Sequence, residues 1–196
     1  LWYILDKKVG GGFMKFISVF LVILISLVST ASTVASGEII DITGRFIGKD
    51  NYLLVSVKNN VYNVKGKIPE GLKENDYLEV KGIERKDENG NSYIWALRIR
   101  VLLPVTISSL KEGVEDYLNK KVLIYGEFRG WEGTAGPPPV TRSDWLIKDD
   151  TGYIYVLGAP PFKPGEDKGK KIALVGVLKL SRENIPYVEP LLVDVR

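Results

Sequence analysis

Short apolar/polar alternations, broken by polar or glycine-bearing turns, fill the chain beyond residue 37, and a period of two predicts strands. Five strands are expected over Glu38–Gly48, Tyr52–Lys58, Asn60–Gly66, Tyr77–Arg85 and Ser92–Leu102. Lys49-Asp50-Asn51, Asn59-Asn60 and Asp87-Glu88-Asn89-Gly90-Asn91 supply the turns, and a Pro/Gly-bearing segment, Lys67–Asp76, joins the third strand to the fourth. Pro104 ends the fifth strand. Ser108 to Asn119 then reads as a short helix, with Ser108 or Ser109 as N-cap and Glu112 placed for a capping box. A second set of strands follows: Lys121–Trp131, Trp145–Lys148, Gly152–Gly158, Lys171–Leu180 and Tyr187–Val195, with Asp149-Asp150-Thr151-Gly152 as a hairpin turn.

The two sets repeat one another. Tyr93 stands eleven residues after Gly82, and Tyr187 eleven after Gly176; Leu97 and Leu191 stand fifteen after the same glycines. Asn60–Gly66 aligns with Gly152–Gly158. One all-β unit therefore occurs twice, which divides the chain into residues 1–36, a first unit at 37–103, a linker with a helix at 104–120 and a second unit at 121–196. Between its first two strands the second unit carries an insertion, Glu132–Asp144, rich in Gly and Pro. A segment present in one copy maps to a loop, and loops carry specificity.

Residues 1–36 have a different pattern. Lys15 precedes the apolar run Phe16–Val28, and no charge follows until Glu38. A basic start, an apolar core and the small-residue tail Thr33-Val34-Ala35-Ser36-Gly37 describe a signal peptide cleaved after Ala35 or Ser36. An uncleaved membrane anchor is the rival, weakened by Ser29, Thr30, Ser32 and Thr33. Either way the repeats are expected outside the cytoplasmic membrane, secreted or anchored, with Lys7, Lys8 and Lys15 inside. Met14 is the one methionine, which points to it as the initiator and to Leu1–Phe13 as an over-extended start.

Composition narrows the chemistry. The hydrophobic content of 45% suits a folded chain. The net charge is +3, but residues 1–36 hold three Lys against one Asp, so the remainder is close to neutral. The basic bulk usual in phosphate-backbone binders is absent. Without His or Cys the chain lacks disulfides, thiol nucleophiles, the commonest general base and the usual zinc ligands. Ser108-Ser109-Leu110-Lys111 matches a Ser–Lys nucleophile pattern but lies at a helix start without companion motifs. Asp144, Asp149 and Asp150 could serve Ca²⁺ as oxygen ligands, yet turn and cap roles explain them better. No enzymatic activity and no cofactor are expected.

Five short strands per unit, with Gly44 and Gly126 bending each long first strand, suggest a five-stranded barrel of the OB type. The stretch Tyr125–Trp131, then Thr141-Arg142-Ser143-Asp144-Trp145-Leu146-Ile147-Lys148-Asp149-Asp150-Thr151-Gly152-Tyr153-Ile154-Tyr155-Val156, resembles OB-fold domains of the nucleic-acid-binding type. The likeness covers most of 116–196 and, more loosely, 37–103. It implies tandem OB-fold-like barrels and single-stranded nucleic acid as partner.

Strand alternation sorts the second unit. Val122, Ile124, Phe128, Trp145, Ile147, Ile154 and Val156 are expected inside. Arg129, Trp131, Lys148, Tyr153 and Tyr155 are expected to share the outer face, with Arg142 arching over from the insertion. Aromatic rings among cations suit stacked bases or sugars. The competing reading packs Trp131 and the two tyrosines beneath the Pro-rich loop. Trp95 groups by alternation with Tyr93, Leu97 and Ile99 and is expected to be structural. A glycan, peptide or envelope protein is the alternative partner to nucleic acid, because of the export signal and the near-neutral charge.

Overall fold

The computed structural model describes residues 38–196 except 51, 59 and 133–135. The segment expected to be a signal peptide or anchor, with Met14, lies outside the described residues. The first unit comprises β1 (Ile39–Lys49), β2 (Leu53–Val57), β3 (Asn60–Lys65), β4 (Tyr77–Lys86) and β5 (Ser92–Val101). Two helical turns follow, α1 (Ile107–Glu112) and α2 (Val114–Tyr117). The second unit comprises β6 (Lys121–Gly130), β7 (Trp145–Asp149), β8 (Gly152–Val156), β9 (Lys171–Leu180) and β10 (Pro186–Val195).

Each unit closes into a five-stranded barrel, in the orders β1-β2-β3-β5-β4 and β6-β7-β8-β10-β9. In both, the third and fifth strands run parallel and every other pair is antiparallel. These are tandem OB-like barrels, and closure leaves no long sheet edge unpaired. Gly44 and Gly126 stand at close backbone approaches: an added Cβ would lie 2.4 Å from the Ser56 carbonyl oxygen at Gly44 and 2.5 Å from that of Lys148 at Gly126.

The first core is Ile42, Phe46, Leu53, Val55, Val64, Leu78, Val80 and Ile94, with Ile68 and Leu72 from the β3–β4 connector packed on it. The second core holds Val122, Ile124, Phe128, Trp145, Ile147, Ile154 and Val156, all on the expected side. Phe162 of the β8–β9 connector meets Phe128 edge-on at 5.3 Å. Ile107 and Leu110 of α1, both wholly buried, complete it. Burying side chains of this size contributes about 2 kcal/mol each.

The single helix expected over Ser108–Asn119, capped at Ser108 or Ser109 with Glu112, is corrected in two ways. Thr106 is the N-cap, its hydroxyl accepting from Ser109 N–H at 3.3 Å, and the helix breaks at Gly113. Core packing decides the start, because α1 must begin early enough to bury Ile107. Its free N–H groups are met by the β7–β8 hairpin: Ile107 donates to Asp149 at 2.8 Å and Ser108 to Thr151 at 3.0 Å.

The barrels join through a third apolar cluster. Tyr77 and Leu102 of the first pack on Leu123, Ala173, Val175 and Leu192 of the second. Tyr77 donates to Asp194 at 2.9 Å. Beside the cluster, Lys121 lies 2.5 Å from Asp41 and 3.3 Å from the buried Glu79, which Arg98 and Arg100 also approach.

Candidate ligand-binding face of the second barrel

The six residues expected on one face take five different situations. Lys148 and Tyr153 are cross-strand partners on β7 and β8, and the ammonium lies 5.6 Å from the ring centroid. Both are half-buried, and this pair forms a compact cation–π element.

Arg129 is the extra residue of a β-bulge. Phe128 pairs with Ile147 and Gly130 with Leu146, leaving Arg129 unmatched between them. A bulge re-aims side chains and breaks alternation. Arg129 turns to Glu127, 3.6 Å away, and so does not stand beside Trp131 in strand register. Gly130 has φ +58°, and a Cβ there would fall 2.8 Å from Pro164 Cβ. The left-handed turn carries the chain off the sheet, so Trp131 lies past the end of β6 and is 60% exposed. The expectation that Trp131 packs beneath the insertion is thereby set aside.

Tyr155 is the opposite case. The expectation that it faces solvent is corrected: it is only 6% exposed, and its hydroxyl donates to the Gly136 carbonyl of the insertion. Its outer-face neighbour across the ladder, Leu146, is 1% exposed. Burial, with Asp144 nearby, pushes the Tyr155 phenol above its usual 10. Arg142 is exposed on the insertion and takes part in no hydrogen bond or ion pair among the described residues.

Asp144 holds the insertion in place. The carboxylate accepts from Val140 N–H at 3.0 Å, Thr141 N–H at 2.9 Å, Thr141 Oγ1 at 2.5 Å and Gly158 N–H at 3.0 Å. Burial pushes this carboxyl up, but the bonds from Gly158, Thr141 and Val140 outweigh it and hold the pKa below 3.8. Asp149 is similarly spent on the amides of Ile107, Thr151 and Gly152. Neither is a free metal ligand, and no cluster of three acidic side chains suited to a metal occurs among the described residues. The hydroxyls of Ser108 and Ser109 lie 3.2 Å and 2.8 Å from Thr106 Oγ1, within the helix cap.

Two clefts flank the Lys148–Tyr153 pair. Tyr153 opens on one of about 770 Å³, bordered by Glu112, Glu115 and Asp116 of the helical turns and by Asn184 and Pro186 of the β9–β10 hairpin. Lys148 opens on another, of about 700 Å³, shared with the first barrel.

The first barrel carries an aromatic–cation cluster that alternation failed to find. Lys65 Nζ sits 4.6 Å from the Tyr52 ring and 5.0 Å from that of Tyr93, and Arg85 stacks over Trp95 at 5.6 Å. Trp95 is 41% exposed, so its expected structural burial is corrected. A bulge at Leu97 inverts parity along β5: Ile99 packs against the core, whereas Trp95 and Tyr93 face out. Glu189, which stands as far from Gly176 as Trp95 does from Gly82, is its charged repeat partner and was the readable signal for an exposed position.

No family model matches the chain, and no curated protein matches it. Among solved structures it is similar to one described as "Structural mimicry for functional antagonism", at 13% identity and a TM-score of 0.34, over 85% of this chain and 97% of that one. It is also similar to a multidomain protein with nucleic acid binding domains from Streptococcus pneumoniae, at 13% identity and a TM-score of 0.23, over 76% of this chain. The matched part is 44% of that protein.

Proposed function

We propose that the chain is a non-enzymatic, exported binding protein that takes single-stranded nucleic acid on the outer face of its second barrel, through Lys148 and Tyr153. The observation that carries this reading is the cross-strand ammonium–ring pair on β7 and β8, the strands OB barrels use for ligands. Trp131, exposed at the root of the β6–β7 insertion, offers a second ring, and Arg142 an exposed charge. Stacking contributes about 1–3 kcal/mol per base and tolerates any sequence. With a near-neutral chain, rings rather than charge would supply most of the affinity.

One observation favours the alternative partner, an envelope glycan, peptide or protein. The cleft at Tyr153 is edged by Glu112, Glu115 and Asp116 against Lys111 alone, which repels a phosphate backbone on that side.

The test is fluorescence anisotropy of the chain with labelled single-stranded DNA and RNA at low and moderate salt, beside Trp131→Ala and Tyr153→Ala. Micromolar binding weakened by both substitutions supports the nucleic-acid reading. Absence of binding at low salt overturns it in favour of an envelope partner, sought with neutral polysaccharides.

A further inference from the structure

The geometry points to the cleft between the barrels as a phosphate-binding site, occupied by a phosphodiester of the strand whose bases stack at Tyr153; this occupant rests on the reading above. The cleft, of about 700 Å³, is lined from the first barrel by Arg45 and from the second by Tyr125, Lys148 and Arg196. Lys171 also lines it, paired with Glu127, whereas Arg45, Lys148 and Arg196 take part in no ion pair among the described residues. Arg45 makes one side-chain hydrogen bond, from Nη1 to Asn75 Oδ1 at 3.3 Å, and its Nε is buried with no acceptor among the described residues. The Arg196 guanidinium carbon sits over the Tyr125 ring, 3.9 Å from its centroid, a cation–π contact that restrains the guanidinium without using its N–H groups as donors to a carboxylate.

Two of the three lining carboxylates are already engaged. Glu127 binds Lys171 at 2.7 Å and Arg129 at 3.6 Å, and those cations, with Lys148, hold its pKa below the usual 4.5. Asp149 is bonded to backbone amides. Asp150 alone stands without a bonded partner among the described lining residues. The lining side chains therefore set four cations, Arg45, Lys148, Lys171 and Arg196, against three carboxylates, Glu127, Asp149 and Asp150. Two guanidiniums suit the forked geometry of a phosphate. Lys148 belongs both to this cleft and to the ring pair, so a strand stacked at Tyr153 has a charged path into the cleft.

The experiment follows the Arg side-chain Nε–H signals of the full chain in mild detergent by NMR. Sodium pyrophosphate is titrated in, and anisotropy with a short oligothymidylate is recorded across a salt series. Arg45→Gln/Arg196→Gln is compared with wild type, with its circular dichroism melt as the check on folding. Pyrophosphate should move the Arg45 and Arg196 signals, and the double variant should bind oligothymidylate at least about tenfold more weakly. Its log–log salt slope should be shallower by about 1.4, the loss of two contacts to a single strand. Oligothymidylate binding with affinity and slope unchanged in the folded variant overturns the inter-barrel site while leaving stacking at Tyr153 intact. Pyrophosphate shifts without any oligothymidylate binding support the site, assign it to free phosphate and overturn the strand reading. Absence of both responses overturns the proposal. A variant that melts early is replaced by Arg45→Lys, which keeps the charge, loses the fork and should still weaken binding.

Discussion

Leu97 and Leu191 occupy the same bulge in the two barrels. Each is the residue the last strand skips, between Ala96 and Arg98 opposite Gly82 and Lys81, and between Pro190 and Leu192 opposite Gly176 and Val175. Both are exposed. The matched glycines allow this crossing: a Cβ would fall 2.5 Å from the Trp95 carbonyl oxygen at Gly82 and 2.5 Å from that of Glu189 at Gly176.

Gly82→Ala and Gly176→Ala should each destabilise the chain by about 1–3 kcal/mol, because backbone rather than a flexible side chain must give way. Urea unfolding measures the loss. Leu97→Ala, at an exposed position, should change stability by less than about 0.5 kcal/mol.

Asp144→Ala should cost about 3 kcal/mol, since it removes the acceptor of several charge-assisted bonds and strands buried N–H groups. The folded carboxyl titrates below 3.8, so its contribution is complete above the ordinary aspartate pKa and fades as pH falls through the lowered value. The wild-type stability curve should fall on that acid limb, and the variant's should fall less. Release of the insertion should also bring the Tyr155 phenol back toward 10, read by ultraviolet titration.

How much of this was legible depended on parity. Alternation placed Phe128, Trp145, Ile147, Ile154 and Val156 correctly, and strand bounds agree to within about two residues: Phe128 precedes the β6 bulge, and β7 and β8 run without interruption to their hairpin turn. It misjudged Trp95, grouped with Ile99 across the Leu97 bulge, because one extra residue inverts every position beyond it. Tyr155 illustrates a different limit. Alternation puts it outside the barrel, which is right, but cannot show that Gly136 roofs it. Thr106 escaped as N-cap because Ser108 and Ser109 satisfy the same local preference, and only the burial of Ile107 decides among them.

Tyr52 donates to Asp87 at 2.6 Å, and the pair titrates apart: the phenol is pushed up to about 12 and the carboxyl down to about 2. The hydroxyl bond is the leading cause on both sides, with Asn91 and Asn89 also donating to the carboxylate. Tyr52→Phe should move the Asp87 carboxyl carbon's titration midpoint upward, toward 3.8, in NMR. An unchanged midpoint would show that the turn amides alone set it.

Lys121→Ala should destabilise the protein by about 2–3 kcal/mol, since it takes one of three cations from the buried Glu79 and the nearest one from Asp41. Lys121→Arg should recover part of that loss. Calorimetry of both variants checks the order.

The joint between the barrels has a consequence for assembly. Leu123, Ala173 and Leu192, the apolar floor beneath Tyr77, fall at the repeat positions of Asp41, Glu79 and Arg98. One copy thus presents grease where its twin presents charge. The mating surfaces are unlike, and the greasy one is consumed inside the molecule. Like mating surfaces on both copies would give the open head-to-tail contact from which filaments grow, each copy gripping the next. Here the socket is filled from within, and the matching patch on the first copy is too charged to serve as another.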